Sequence, residues 1–210
     1  GFKNTDLNIR MKNGKTPLIL AIDCNNKDIV ECIVNDTKFD GTYLDLALFL
    51  TDNIDICKIL LAKPEIDVNY FYHCDVNFDD ANVNDDLQTT LIHAVSKNNA
   101  EKVALIINHE KFDKEESLFP HALSMAAEKN EIEIFKELLK LVQDENDLFE
   151  TLKMIFTDNN NEVDFFDFIK LIFELLTSPN PKLKIDFDHV FENGKTILTM
   201  FKLPVSHLDE

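Results

Sequence analysis

Apolar side chains recur along this chain in short bursts at helical spacing, and the bursts come in pairs divided by a polar turn. Leu18 and Ala21 form one burst; after Asn25-Asn26, Ile29-Val30 and Ile33-Val34 form the next. Residues that recur at three and four positions share one face of a helix, so each pair predicts two short amphipathic helices packed together. The same arrangement follows from Leu91 and Ala94 with Val103, Ile106 and Ile107, and from Leu123 and Ala126 with Ile132, Ile134, Phe135, Leu138 and Leu139. Leu44 and Ala47 with Ile56, Ile59, Leu60 and Leu61 fit once about one residue is inserted. A fifth pair is predicted from Leu152, Ile155 and Phe156 with the Phe-rich run 165–176, and a single closing helix over 196–201, stopped by Pro204.

Exact phrases also recur. Asn13-Gly14-Lys15-Thr16 returns as Asn193-Gly194-Lys195-Thr196, and Lys38-Phe39-Asp40 returns as Lys111-Phe112-Asp113. Self-similarity of this kind marks a repeat architecture. Thr16-Pro17 is a helix start, because the Thr hydroxyl caps free amides and Pro is pre-set for the first turn.

Read forward from Gly14, the phrase Gly-x-Thr-Pro-Leu-x-x-Ala, closed by the Asn25 turn, resembles the ankyrin repeat. The resemblance implies an all-α, ankyrin-like helix-pair solenoid with short β-hairpin-type fingers, forming one domain over 1–210. Its approximate units are 6–40, 41–69, 85–113, 117–143, 148–188 and 189–204, with an acidic insertion at 70–88. The Ala-to-Ala intervals are 26, 47 and 32 residues, where the family spacing is about 33. The second finger is therefore expected to be nearly absent and the third to be overgrown. Neither end carries a sealing repeat, so the chain is expected to be a segment of a longer array or to have its termini capped by partners.

Charge narrows the partners. With 39 acidic and 21 basic side chains the net charge is -18, which repels phosphate backbones and anionic lipid. Neither nucleic acid nor membrane insertion is expected; the acidity serves solubility or attracts a basic segment of a protein partner. The longest apolar stretch, 165–176, is broken by Asp167, Lys170 and Glu174 and is shorter than the roughly 20 residues a bilayer requires. It is either a core helix or an exposed association face. Cys24, Cys32, Cys57 and Cys74 form no Cys-x-x-Cys pair, which fits free thiols, three of them in helical patterns, in a reducing cytoplasm or nucleus.

Candidate chemistry is sparse. Gly14-Lys15-Thr16 and Gly194-Lys195-Thr196 end like a phosphate loop, but Ile9 and His189 stand where its first glycine is needed. Asp75-x-Asn77-x-Asp79 begins like a calcium loop, yet Asp80 occupies the obligatory glycine position. His93 and His121 lie at helix starts with no ligand spacing between them. No catalytic residues, cofactor or metal are expected, and the chain is expected to be a monomeric, non-catalytic interaction scaffold. The alternative is the targeting arm of a longer enzyme or effector.

Matched to the family's variable positions, the expected partner surface comprises Arg10, Lys12, Asn13, Lys15, Asp23 and Cys24 in the first unit. Asp85, Asp86, Gln88, Ser96 and Lys97 belong to the third, Glu128 and Lys129 to the fourth, and Glu192 and Lys195 to the last finger. The stretch 70–88 adds Tyr72, Asp75, Asp79 and Asp80 without a single Lys or Arg. It is either a solvated insertion or an acidic, aromatic hook.

Overall fold

A computed structural model of the chain describes residues 6–72 and 88–142, together with position 170. Within them the chain folds into four helix pairs. These are α1 (Pro17–Asp23) with α2 (Lys27–Val34), α3 (Leu44–Leu50) with α4 (Ile54–Leu61), α5 (Thr90–Ser96) with α6 (Ala100–Ile107), and α7 (Phe119–Glu128) with α8 (Ile132–Leu139). A two-stranded antiparallel ribbon, β1 (Phe71–Tyr72) and β2 (Gln88–Thr89), stands before α5, with Phe71 opposite Thr89 and Tyr72 opposite Gln88. First helices stack on first helices, α1 on α3 on α5 on α7, and second helices likewise, α2 on α4 on α6 on α8. The pairs lie within the units expected at 6–40, 41–69, 85–113 and 117–143; units 148–188 and 189–204 lie outside the described residues.

Each helix is too short to persist alone, so stacking supplies the stability. Leu18, Ala21, Leu46, Ala47, Leu91, Ala94, Leu123 and Ala126 are all buried, the alanines being the points where helices approach closely. On α2 the buried stripe is Val30, Ile33 and Val34, whereas Ile29, expected in it, is 44% exposed. The stripe of i, i+3 and i+4 already fills the inner face, leaving Ile29 one position outside it. Cys24, expected on the partner surface, is exposed, as is Cys32, and only Cys57 of the described cysteines is buried. Cys32 follows Ile29 by one turn on that outward face, and Cys24 caps the end of α1.

Three of the four interhelix turns are built alike. Asn25, Asn98 and Asn130 adopt φ of 51°, 53° and 59°, a left-handed conformation that Asn accepts more readily than most residues. Behind them the next amide returns to the helix, from Asn26 to the Ala21 carbonyl at 2.9 Å and from Asn99 to that of Ala94 at 3.0 Å. Asn26, Asn53 and Asn99 then cap the second helices through their side-chain oxygens. The last turn places Glu131 at that position, where its side chain makes no capping bond and one carboxylate oxygen is buried without a partner among the described residues.

The second turn carries the extra residue foreseen from the sequence: six positions separate Ala47 from the capping Asn53, where five separate Ala21 from Asn26. The insertion pulls Thr51 into an extended conformation and leaves two carbonyls turned inward. The fully buried Lys102 of α6 donates to both, to Phe49 O at 3.0 Å and Thr51 O at 2.7 Å. Burial is the main cause that lowers the pKa of this ammonium group.

A longer period runs through the pairs. Thr16 and Thr89 cap α1 and α5 by accepting from Ile19 N and Ile92 N. In contrast α3 and α7 begin at Tyr43 and Leu118, both left-handed and without a side-chain cap. Among the described residues fingers precede α1 and α5 but not α3 or α7. The two Lys-Phe-Asp phrases open the connections into the fingerless pairs, and each is gripped by an asparagine. Asn8 donates to Lys38 O at 2.9 Å and accepts from Asp40 N at 3.2 Å; Asn69 donates to Lys111 O at 2.8 Å and accepts from Asp113 N at 3.0 Å. Both asparagines are set by an Asx turn on the preceding Asp, Asp6 or Asp67, at 2.9 Å. The described residues are thus two tandem double units.

Asn69 is buried and also accepts from Ser117 Oγ at 2.7 Å, whereas the bonds of Asn8 are exposed. Asn69→Ala is therefore expected to cost about 3 kcal/mol and Asn8→Ala about 1 kcal/mol, read as shifts in the urea unfolding midpoint; equal shifts would refute the clamp. Restoring the missing cap with Glu131→Asn is expected to stabilise by about 1 kcal/mol, and a lowered midpoint would show that the carboxylate has a role of its own.

Candidate partner-binding surface

The first finger is a tight turn. Met11 N–H donates to Lys15 O at 3.0 Å, Gly14 N–H donates to Met11 O at 2.9 Å, and Gly14 takes the positive φ of 80° that lets the hairpin close. Its tip exposes Arg10, Lys12 and Asn13. The Arg10 guanidinium lies 5.8 Å above the Tyr43 ring, and Lys15, half-buried, pairs with Asp23 at 3.0 Å.

The other expected residues fall at equivalent ends of the first helices. Asp23 and Cys24 end α1, Ser96 and Lys97 end α5, and Glu128 and Lys129 end α7. All are exposed except Ser96, which is half-buried and donates to the His93 carbonyl at 2.8 Å. Lys129 Nζ reaches back to the Ser96 carbonyl at 3.0 Å, tying the last two ends together, and Glu128 accepts from Ser124 at 3.2 Å.

Unit two interrupts this row. Its corresponding residue, Phe49, is fully buried beneath an aromatic cluster that the sequence pattern does not reveal. Tyr72 stacks on Phe49 at 5.0 Å and 11°, Tyr70 meets it edge-on at 6.5 Å, and the His93 ring packs against it, tilted by 31°, at 4.3 Å. Tyr72, expected on the partner surface, is only 7% exposed and serves packing instead. Gln88, half-buried, pairs with it across the ribbon. The cluster therefore anchors both sides of the acidic stretch, whose Asp75, Asp79, Asp80, Asp85 and Asp86 lie outside the described residues, as do Glu192 and Lys195. The Phe-rich run 165–176 lies outside them too, apart from Lys170, which is helical and exposed.

The family model for ankyrin repeats, in three copies, matches residues 2–72. Over those residues the chain carries ankyrin repeats. Ankyrin repeats are generally protein-protein interaction modules, and α5 to α8 continue the same stack beyond the matched residues. No curated protein and no solved structure matches the chain. Among the described residues no helix is long and apolar enough to cross a membrane, and no group of three or more His, Cys, Asp or Glu is placed to hold a metal ion.

His93 gives this helix stack a pH dependence. Burial, reinforced by the charges of Lys102 and Lys97, lowers its pKa to about 3, and its Nδ1 is buried without a partner among the described residues. The native ring stays neutral where the unfolded one, with an ordinary pKa of about 6.5, binds a proton. Stability from this group is thus complete above about pH 6.5 and declines as the pH falls towards 3. His93→Phe is expected to flatten the fall in urea midpoint between pH 6.5 and pH 4. An unchanged slope relative to wild type would refute the assignment.

Proposed function

We propose that the chain is a non-catalytic scaffold that holds a protein partner along its finger turns and the C-terminal ends of its first helices. The observation that carries this reading is the row of exposed polar ends, Asp23-Cys24, Lys97 and Glu128-Lys129, standing at equivalent positions on a rigid helix stack. Such a row is rigidly spaced by the helices beneath it, so a partner meets a preformed surface and little ordering entropy opposes binding.

The surface changes sign along its length. Arg10 and Lys12 lead, and the acidic stretch bracketed by Tyr72 and Gln88 stands further along. A partner of opposite polarity, with a basic segment facing Asp85 and Asp86, fits that order. The exposed thiols of Cys24 and Cys32 are in keeping with a reducing compartment, the cytoplasm or the nucleus.

Affinity capture from native cell extract tests the reading. Lys97→Glu with Glu128→Lys, and separately Asp85→Lys with Asp86→Lys, are each expected to reduce the captured partner by about tenfold, the effect of losing about 1.4 kcal/mol. Capture undiminished by both variants would overturn the scaffold surface.

A further inference from the structure

The first finger differs from the rest of the surface in composition. Between Asp6 and Asp23 there is no acidic residue, although the chain holds 39 of them, and the finger contains Arg10, the single arginine of the sequence. Among the described residues three large apolar side chains are exposed, Ile9 at 53%, Met11 at 39% and Ile29 at 44%. Two of these flank Arg10. Four consecutive exposed residues, Ile9-Arg10-Met11-Lys12, thus alternate apolar and cationic groups on an element held by its own hairpin bonds.

Each part has a physical reading. Large apolar side chains left in water are the usual mark of a contact surface when charge accompanies them. A guanidinium offers carboxylates a planar, bidentate fork. Placement over the Tyr43 ring limits its freedom beforehand, so less entropy is lost when it binds. Lys15 and Asp23 neutralise each other at the base of the finger, leaving Arg10 and Lys12 as the outward charges of the tip.

Resting on the scaffold reading, we propose that this finger docks a short acidic segment of a protein partner in which carboxylates alternate with apolar side chains. The carboxylates meet Arg10 and Lys12, and the apolar groups cover Ile9 and Met11. The overall charge of -18 sets the length: an extended polyanion would run into the acidic remainder of the surface, whereas a short segment feels chiefly the local positive potential. Shared apolar contact also separates this partner from a nucleic acid, whose phosphates carry no such groups.

The test uses the intact chain and a fluorescein-labelled peptide of alternating Glu with Val and Phe. Two controls are the same composition with all Glu at one end and the alternating peptide with Lys for Glu. Anisotropy is expected to show the alternating acidic peptide binding best. Its Kd should rise by about tenfold in Arg10→Glu with Lys12→Glu, and by about fivefold in Ile9→Ser with Met11→Ser. Lys58→Glu with Glu101→Lys, a reversed ion pair on the exposed second helices, should leave it unchanged. All four substituted positions of the finger are exposed, so thermal midpoints should match wild type. Equal binding of the segregated peptide, or binding indifferent to both finger variants, overturns the proposal. If capture of the native partner still depends on Lys97 and Glu128 in that case, the scaffold reading survives and the finger assignment alone fails.

Discussion

Helices of seven to ten residues, the lengths found throughout the described chain, do not persist alone in water. Nucleating a helix fixes several residues for one hydrogen bond, and so short a run never recovers that entropy by propagation. Every helix here therefore depends on burying its inner stripe against the next pair. Small residues at the contact follow from that dependence: Ala21, Ala47, Ala94 and Ala126 are buried because a larger side chain would hold the stacked helices apart. The stack is in this sense one object, and the loss of one pair exposes the faces of two others.

Apolar stacking is indifferent to register, so a polar spine sets it. Asn53 donates to Asn25 across adjacent turns at 2.8 Å, Asn99 donates to the Asp52 carbonyl at 3.1 Å, and the clamps of Asn8 and Asn69 fix the connections on the opposite end. Ion pairs such as Lys27 with Asp55 and Lys58 with Glu101 run along the exposed second helices, where solvent screening leaves them a minor contribution. Lys102 occupies a different position energetically. Its ammonium group is fully buried and donates to the carbonyls of Phe49 and Thr51 that the irregular turn of unit two turns inward, the latter also accepting from Cys57 Sγ at 3.8 Å.

Irregularity and surface chemistry coincide. Where the turn of unit two departs from its neighbours, Phe49 replaces a polar helix end, and Tyr70, Tyr72 and His93 close over it. That cluster seats the ribbon leading into the acidic stretch, so the site of greatest sequence divergence is tied down by aromatic packing at both of its described margins. The first finger holds the equivalent place in the preceding double unit, with eight positions from Asn8 to Thr16 against twenty from Asn69 to Thr89. The same place thereby holds a compact basic finger in one double unit and a longer, acidic stretch of sequence in the next.

The sequence by itself determined the helix pairs. Three- and four-residue spacing around Leu18-Ala21, Leu91-Ala94 and Leu123-Ala126 depends only on helical geometry, and Thr16-Pro17 marks its start through local capping chemistry. It also located the extra residue of unit two, because offsets within a repeat are countable. The recurrence of Lys-Phe-Asp was visible in the same way, but its meaning was not: the partners Asn8 and Asn69 lie 30 and 42 residues from the carbonyls they grip. Only the tertiary structure decided that Tyr72 packs inward, that Ile29 and Cys32 face water, and that Phe49, His93 and Lys102 are brought to one irregular turn. Such outcomes depend on which faces the neighbouring pair covers, and that is a property of the stack that no local pattern contains.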